Sequence, residues 1–244
     1  MAFQNATRTC LCVAAAPLAF VALLLQPLCA FAAEPVKHIR IYVQPYYEAG
    51  RTADEHPQVA VGESLSGMLG SNRREDILAA RDVVVAAPKL VTPMTLMVLA
   101  IRLYDVGLRD DAVFWFYVAK DRFVTLADVI DIQKSGMMQA EEAVRAFATL
   151  AGPVINSYAF CDLARQKALR LKAFEWVEQN PYGVIFMDRF SAKPGNRADN
   201  LKLAMRNVRL NIDKEQAYLQ DPKNVEAFYA TRRKNEAEEK FCWQ

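Results

Sequence analysis

Over residues 36–46 apolar and polar positions alternate. Ile39, Ile41 and Val43 fall on one side, and His38, Arg40, Tyr42 and Gln44 on the other. A period of two predicts a half-buried strand, which Pro45 ends or places at an edge. Residues 58–61 are a candidate second strand before Gly62. Beyond them the spacing becomes helical. Ile77, Ala80, Val84 and Ala87 line one face of a helix, with Asn72 and Glu75 in capping-box spacing at its start and Pro88 at its end. Thr92-Pro93 supplies a threonine N-cap and a proline at the first helical position, so a helix is predicted from there to about Asp105, with Gly107 as its stop. Further helices are predicted over 109–121, from Thr125 to Gly136, and over 137–150, 155–178, 198–219 and 222–238. Between them 184–190 is a short apolar run and 192–196 a turn. Gly152-Pro153 reads as the clearest break in the chain and a possible subdomain boundary. The pattern predicts a mainly α fold, a helical bundle or repeat-like helical array with a small N-terminal β element. Short loops favour a single mostly helical domain over 33–244.

The stretch Val113 to Val118 is apolar all round its helix. Such a helix is buried on every side or covered by a partner, and burial is expected. Trp115 and Tyr117 then need hydrogen-bond partners for their polar atoms.

Residues 1–32 have a different texture. Arg8 is the one charge before Glu34, the apolar density peaks from Phe20 to Leu25, and Ala30-Phe31-Ala32 has the small-x-small form of a cleavage site. This predicts a signal peptide cleaved near Ala32. An uncleaved anchor is the competing reading, against which Pro17, Gln26 and Pro27 interrupt the uncharged run. Leu28 before Cys29 is not the small residue a lipoprotein site wants. An alanine-rich leader without eukaryotic features points to the periplasm of a Gram-negative bacterium, with a mature form that is not membrane-embedded.

Removing the leader changes the cysteine count. Cys10, Cys12 and Cys29 leave with it, and Cys161 and Cys242 remain. An even count in an exported chain favours a bridge. A closed loop of about 80 residues gives roughly 4 kcal/mol in the chain-entropy treatment, less any strain. Two buried or free thiols are the alternative. Two thiols that far apart are a poor metal site, which usually takes four ligands in close pairs.

Charge excludes one class of partner. The 30 basic residues less Arg8 leave 29 against 28 acidic ones, with no dense basic block, so binding to nucleic acid by charge is not expected. Candidate chemistry is sparse. The two histidines, His38 and His56, stand outside HExxH or other ligand spacings. Ser64 and Ser66 fail the GxSxG register, and no phosphate-cradling glycine loop is present, so no cofactor or metal is expected. Asp110, Asp111, Asp121, Asp128, Asp131, Glu141 and Glu142 could supply an acid/base pair for a periplasmic hydrolase. Helix starts and solvated faces account for them more simply.

The helical pair over 93–123 carries a resemblance. Ala100, Leu103, Gly107, Ala112, Phe116 and Ala119 have the relative spacing of a tetratricopeptide unit, and Trp115-Phe116 with Ala112 and Ala119 resembles the second helix of a Sel1-like repeat. Small residues let two antiparallel helices approach, and Leu103 and Phe116 fill the space between. Leu96 and Val124 depart from the tryptophan and proline of the pattern, and the match covers about 30 residues without a second copy at a fixed period. Such units bind proteins or peptides, so the resemblance implies a non-enzymatic binding role. It implies a partner face at Met94, Met97, Ile101, Tyr104 and Asp105. The texture is similar to periplasmic immunity proteins that neutralise toxins delivered by type VI secretion, which implies steric occlusion of a cognate toxin. A carboxylate-dependent hydrolase and an envelope assembly factor are the alternatives.

Overall fold

The structure is a computed structural model that describes residues 33–39 and 63–243; the leader at 1–32, most of the alternating stretch at 36–46 and the candidate strand at 58–61 lie outside the described residues. Among the described residues nine α-helices form a bundle, two short 3-10 turns join them, and sheet pairing is limited to one bridge between Ile130 and Ala192. In chain order the helices are α1 (Glu63–Gly70), α2 (Arg74–Ala86), α3 (Pro93–Asp105), α4 (Arg109–Val129), α5 (Met138–Ala159), α6 (Leu163–Gln179), α7 (Arg197–Gln220), α8 (Pro222–Lys234) and α9 (Ala237–Phe241).

The α3–α4 hairpin organises the rest. Thr92 caps α3 by accepting from the Thr95 N–H at 3.0 Å, with Pro93 in the first turn. Gly107 takes a φ of 82° in the turn, a conformation that side chains other than glycine resist. Ala100, Ala112 and Ala119 are fully buried, with Leu103 and Phe116 packed among them. α4 is the central helix, packed against α3, α5, α6 and α7. That position explains its run at 113–118, which is buried except for the half-buried Phe114. The Tyr117 hydroxyl donates to Asn156 Oδ1 at 3.2 Å and receives Gln166 Nε2 at 3.3 Å, so burial does not orphan it. Asp121 and Arg170 form a buried two-pronged ion pair at 2.5 and 2.8 Å nearby.

Arg122 is fully buried on the other side of α4 without a carboxylate. Its guanidinium donates to the carbonyls of Pro88 at 2.9 Å, Val91 at 2.8 Å and Asn180 at 2.9 Å. The Trp176 and Tyr182 rings lie 5.0 and 5.4 Å from it. Burial pulls this arginine down to about 10.

Several predicted boundaries move. Gly152-Pro153 breaks nothing, because α5 runs through it. Proline removes one helical hydrogen bond, but the helix is held by the fully buried Phe147, Ala151 and Ile155. A Cβ on Gly152 would stand 3.3 Å from the Phe116 ring, so this glycine admits α4 instead of ending α5. Thr125 does not start a helix. It lies inside α4, where its hydroxyl donates back to the carbonyls of Asp121 and Arg122. The long helix expected over 155–178 is two: α5 ends at Ala159 and Asp162 caps α6 by accepting from the Arg165 N–H at 2.9 Å. Cys161 therefore sits in a turn. At the start of α2 the Asn72 box is not formed; Arg73 is the N-cap, and Asn72 accepts from Arg102. The last predicted helix stops at Lys234, and Glu236, with a φ of 53°, begins the separate α9. No helix among the described residues is long and apolar enough to cross a membrane.

Cys161 and Cys242 are bridged, with Cα atoms 5.5 Å apart. The bond ties α9 to the turn between α5 and α6, as the cysteine count anticipates.

Candidate functional site

The last turn of α3 carries the polar residues that face the chain's own N-terminal segment. Helical spacing places Arg102 and Asp105 three apart on one side, where they pair at 2.7 Å. The other terminal nitrogen of Arg102 donates to the Ser71 carbonyl and to Asn72 Oδ1, at 2.7 Å each. This holds the Asp105 carboxylate in one orientation. Its Oδ1 then accepts the Ile39 N–H at 2.8 Å, with His38 Nδ1 at 4.0 Å. Burial pushes the Asp105 carboxyl above its ordinary range, against the opposing pull of the Ile39 N–H, Arg102 and His38. His38, Asn72, Arg102 and Asp105 border an open polar cavity of about 380 Å³ here.

Tyr104 grips the same segment three residues earlier. Its hydroxyl donates to the Val36 carbonyl at 2.9 Å, and its ring, 1% exposed, stands edge-on to Tyr158 at 6.3 Å. Burial raises the phenol to about 12, so it is a proton donor throughout the neutral range. Val36 is held from the far side as well, since its N–H donates to the Lys240 carbonyl of α9 at 2.8 Å. The extended residues 33–39 thus form a strap between α3 and α9.

Around the strap is a cationic and aromatic cluster. The Tyr158 hydroxyl donates to Asp110 Oδ1 at 2.8 Å, and Arg165 lies 3.4 Å from the same carboxylate. Arg109 lies between two rings, 4.6 Å from Tyr158 and 4.0 Å from Trp243. Beyond it Arg232, 6% exposed, donates to Glu238 at 2.8 Å and to the Ser157 carbonyl at 3.1 Å. Its remaining nitrogen faces the disulfide, 3.2 Å from Cys242 Sγ and 3.6 Å from Cys161 Sγ. Cys161, Cys242 and Glu238 cluster within 4.8 Å, but the two sulfurs are bonded to each other and the carboxylate is paired with Arg232.

The five positions expected to form a partner face do not form one open surface. Met97 is fully buried, and Ile101 and Tyr104 are buried with it. α3 is covered on too many sides to leave a concave stripe in water. Met94 is half-buried and lines a separate apolar cavity of about 90 Å³ with Phe123, Leu126, Met137 and Val144. Tyr104 and Asp105 do come together, on a backbone that belongs to the chain itself. Several of the candidate carboxylates are in ion pairs: Asp111 with Arg81, Asp121 with Arg170, Glu141 with Arg145 and Asp131 with Lys134. Sequence reasoning missed Arg102, Tyr158 and Arg232. Only Arg102 had a local signal, its spacing from Asp105.

No family model matches the chain, and no solved structure matches it. A Haemophilus influenzae protein described as uncharacterized is 34% identical over 210 residues, a span covering 86% of this chain and 81% of that protein. With that identity sustained over most of both chains, the protein belongs to the same family as its Haemophilus influenzae relative.

Proposed function

We propose that this chain is an exported protein-binding protein, of the immunity type that neutralises a secreted toxin by covering its active site. The observation that supports this reading is the grip of Tyr104 and Asp105 on main-chain atoms. One donates to a carbonyl and the other accepts an N–H three residues on, at 2.9 and 2.8 Å. Contacts of this kind read an extended backbone whatever its side chains, which is how strands and peptides are captured. A loop of a partner offers the same atoms. It would replace the strap on α3, place an apolar residue where Ile39 is buried, and be held away from its substrate by the end of the bundle.

The test is a pull-down from periplasmic extract with mass spectrometry, run with the wild type and with Asp105→Ala. Because strap and partner loop use the same acceptor, both proteins are compared without residues 33–39. There the loss of a charged acceptor of an N–H bond costs about 1.5–3 kcal/mol, and partner recovery at limiting concentration should fall at least about tenfold. The immunity reading adds that expression of the chain protects cells making the toxin encoded beside it. Equal recovery by both proteins, or no protection, refutes the reading.

A further inference from the structure

We propose that Cys161–Cys242 is a thiol–disulfide exchange site, with protein dithiols as its substrate class, and that opening it unfastens the strap from α3. The first observation is Arg232. Its guanidinium is buried and anchored by Glu238 and the Ser157 carbonyl, and its free edge points at both sulfurs, at 3.2 and 3.6 Å. A disulfide is neutral and gains little from a cation beside it, whereas a thiolate gains a great deal. A cation in this position therefore favours the reduced state selectively, which is what makes a disulfide oxidising and exchangeable. Glu238 opposes this only weakly, because its side chain is 42% exposed and water screens it while the arginine is sealed against the sulfurs. Both cysteines are half-buried, so neither is enclosed by the core.

The geometry also assigns the order of events. Arg232 lies closer to Cys242, so Cys242 is the better leaving group. An incoming thiolate bonds to Cys161 Sγ, the Cys161–Cys242 bond breaks, and its electron pair leaves on Cys242 as a thiolate held by Arg232. The second thiol of the dithiol, losing its proton, then attacks the mixed disulfide. It leaves as the partner's disulfide, and Cys161 departs as a thiolate that takes up a proton. Two electrons pass from the dithiol to the chain, the dithiol is oxidised, and no other reactant is required.

The second observation is what the bridge fastens. α9 has five residues with one buried among them, Ala237; beside the Glu238–Arg232 ion pair and the Arg109–Trp243 contact, the bridge is its covalent tie to the turn between α5 and α6. Lys240, two residues before Cys242, accepts the Val36 N–H, and the Val36 carbonyl accepts Tyr104. Bridge, α9, strap and α3 are consecutive links, and cutting the first loosens the last. This holds whatever partner the protein has; only its use in controlling access to Tyr104 and Asp105 rests on the proposed function.

The experiment equilibrates the full exported chain in buffers of reduced and oxidised dithiothreitol. It compares wild type with Arg232→Gln and Arg232→Lys, and follows hydrogen exchange at the Val36 amide. Arg232→Gln is expected to make reduction about tenfold less favourable, which is about 30 mV for a two-electron couple, while Arg232→Lys keeps most of the wild-type value. In reduced wild type the Val36 amide should exchange at least about ten times faster than in the oxidised protein, with Cys242→Ser behaving like the reduced form. If Arg232→Gln does not fold, the pH dependence of Cys242 alkylation in reduced wild type decides, with titration expected below the ordinary value of about 8.5. Equal reduction constants for wild type and Arg232→Gln, a Cys242 thiol titrating at or above about 8.5, or a Val36 amide equally protected in both redox states overturns the proposal.

Discussion

Tyr104 separates packing from hydrogen bonding in one residue. Its ring is 1% exposed and stands edge-on to Tyr158, and its hydroxyl holds the Val36 carbonyl at 2.9 Å. Tyr104→Ala removes ring and hydroxyl and leaves a void that the surrounding helices cannot close. Truncations of this size cost about 3–5 kcal/mol. Tyr104→Phe keeps the ring and loses one partly buried hydrogen bond, so about 1 kcal/mol is expected. In a chain of this size each kcal/mol moves the melting temperature by about 2–4 °C. The Phe variant should therefore melt about 2–4 °C below wild type and the Ala variant about 6–20 °C below it. Calorimetry supplies both numbers, and urea unfolding should show a lower midpoint at unchanged slope. An Ala variant melting within about 2 °C of wild type would refute the burial argument. A Phe variant as damaged as the Ala variant would show that the hydroxyl, not the ring, carries the stability.

Ala112 is fully buried where α3 meets α4, and Ala112→Leu should cost about 1–3 kcal/mol by overpacking, read as a lower urea midpoint; an unchanged midpoint would mean the helices have room to separate. Burial raises Tyr104, Tyr117 and Tyr158 from 10.0 to about 12. The fold thus favours their protonated forms, and this stabilisation is complete below about pH 10 and lost as pH rises toward 12. Denaturant unfolding at pH 9 and pH 11 should give lower stability at pH 11, and phenolate absorbance of the native protein should lag that of the unfolded chain. All nine tyrosines titrating together near pH 10 in the native state would contradict this.

The helices were legible where their signals are local. Thr92-Pro93 caps α3 and Gly107 turns the chain because cap and turn chemistry act within a few residues. The apolar run at 113–118 foretold a surrounded helix, since no single face could account for it. Gly152-Pro153 misled because the same residues that weaken a helix alone also let one approach another closely, and only Phe116, far off in sequence, shows which applies. Tyr104 and Asp105 were picked out, but not what they hold. Their partners Val36 and Ile39 lie 68 and 66 residues away, and nothing in the pattern of α3 reports on them. A repeat template assumes a neighbouring repeat on one side and water on the other, so it placed Met97 and Ile101 on a surface where the bundle has a core.

Arg122 bears on how cooperatively the bundle opens. Its three carbonyls belong to residues 34, 31 and 58 positions away in sequence, on two separate connections. A guanidinium stripped of water gains little from one carbonyl and needs all of them together. The loop carrying Pro88 and Val91 and the turn carrying Asn180 therefore have no cheap way to fray singly, because either departure strands the same buried cation. They belong to one unfolding unit despite their distance along the chain, and amides in both should exchange with a common opening free energy, well above that of an ordinary surface loop.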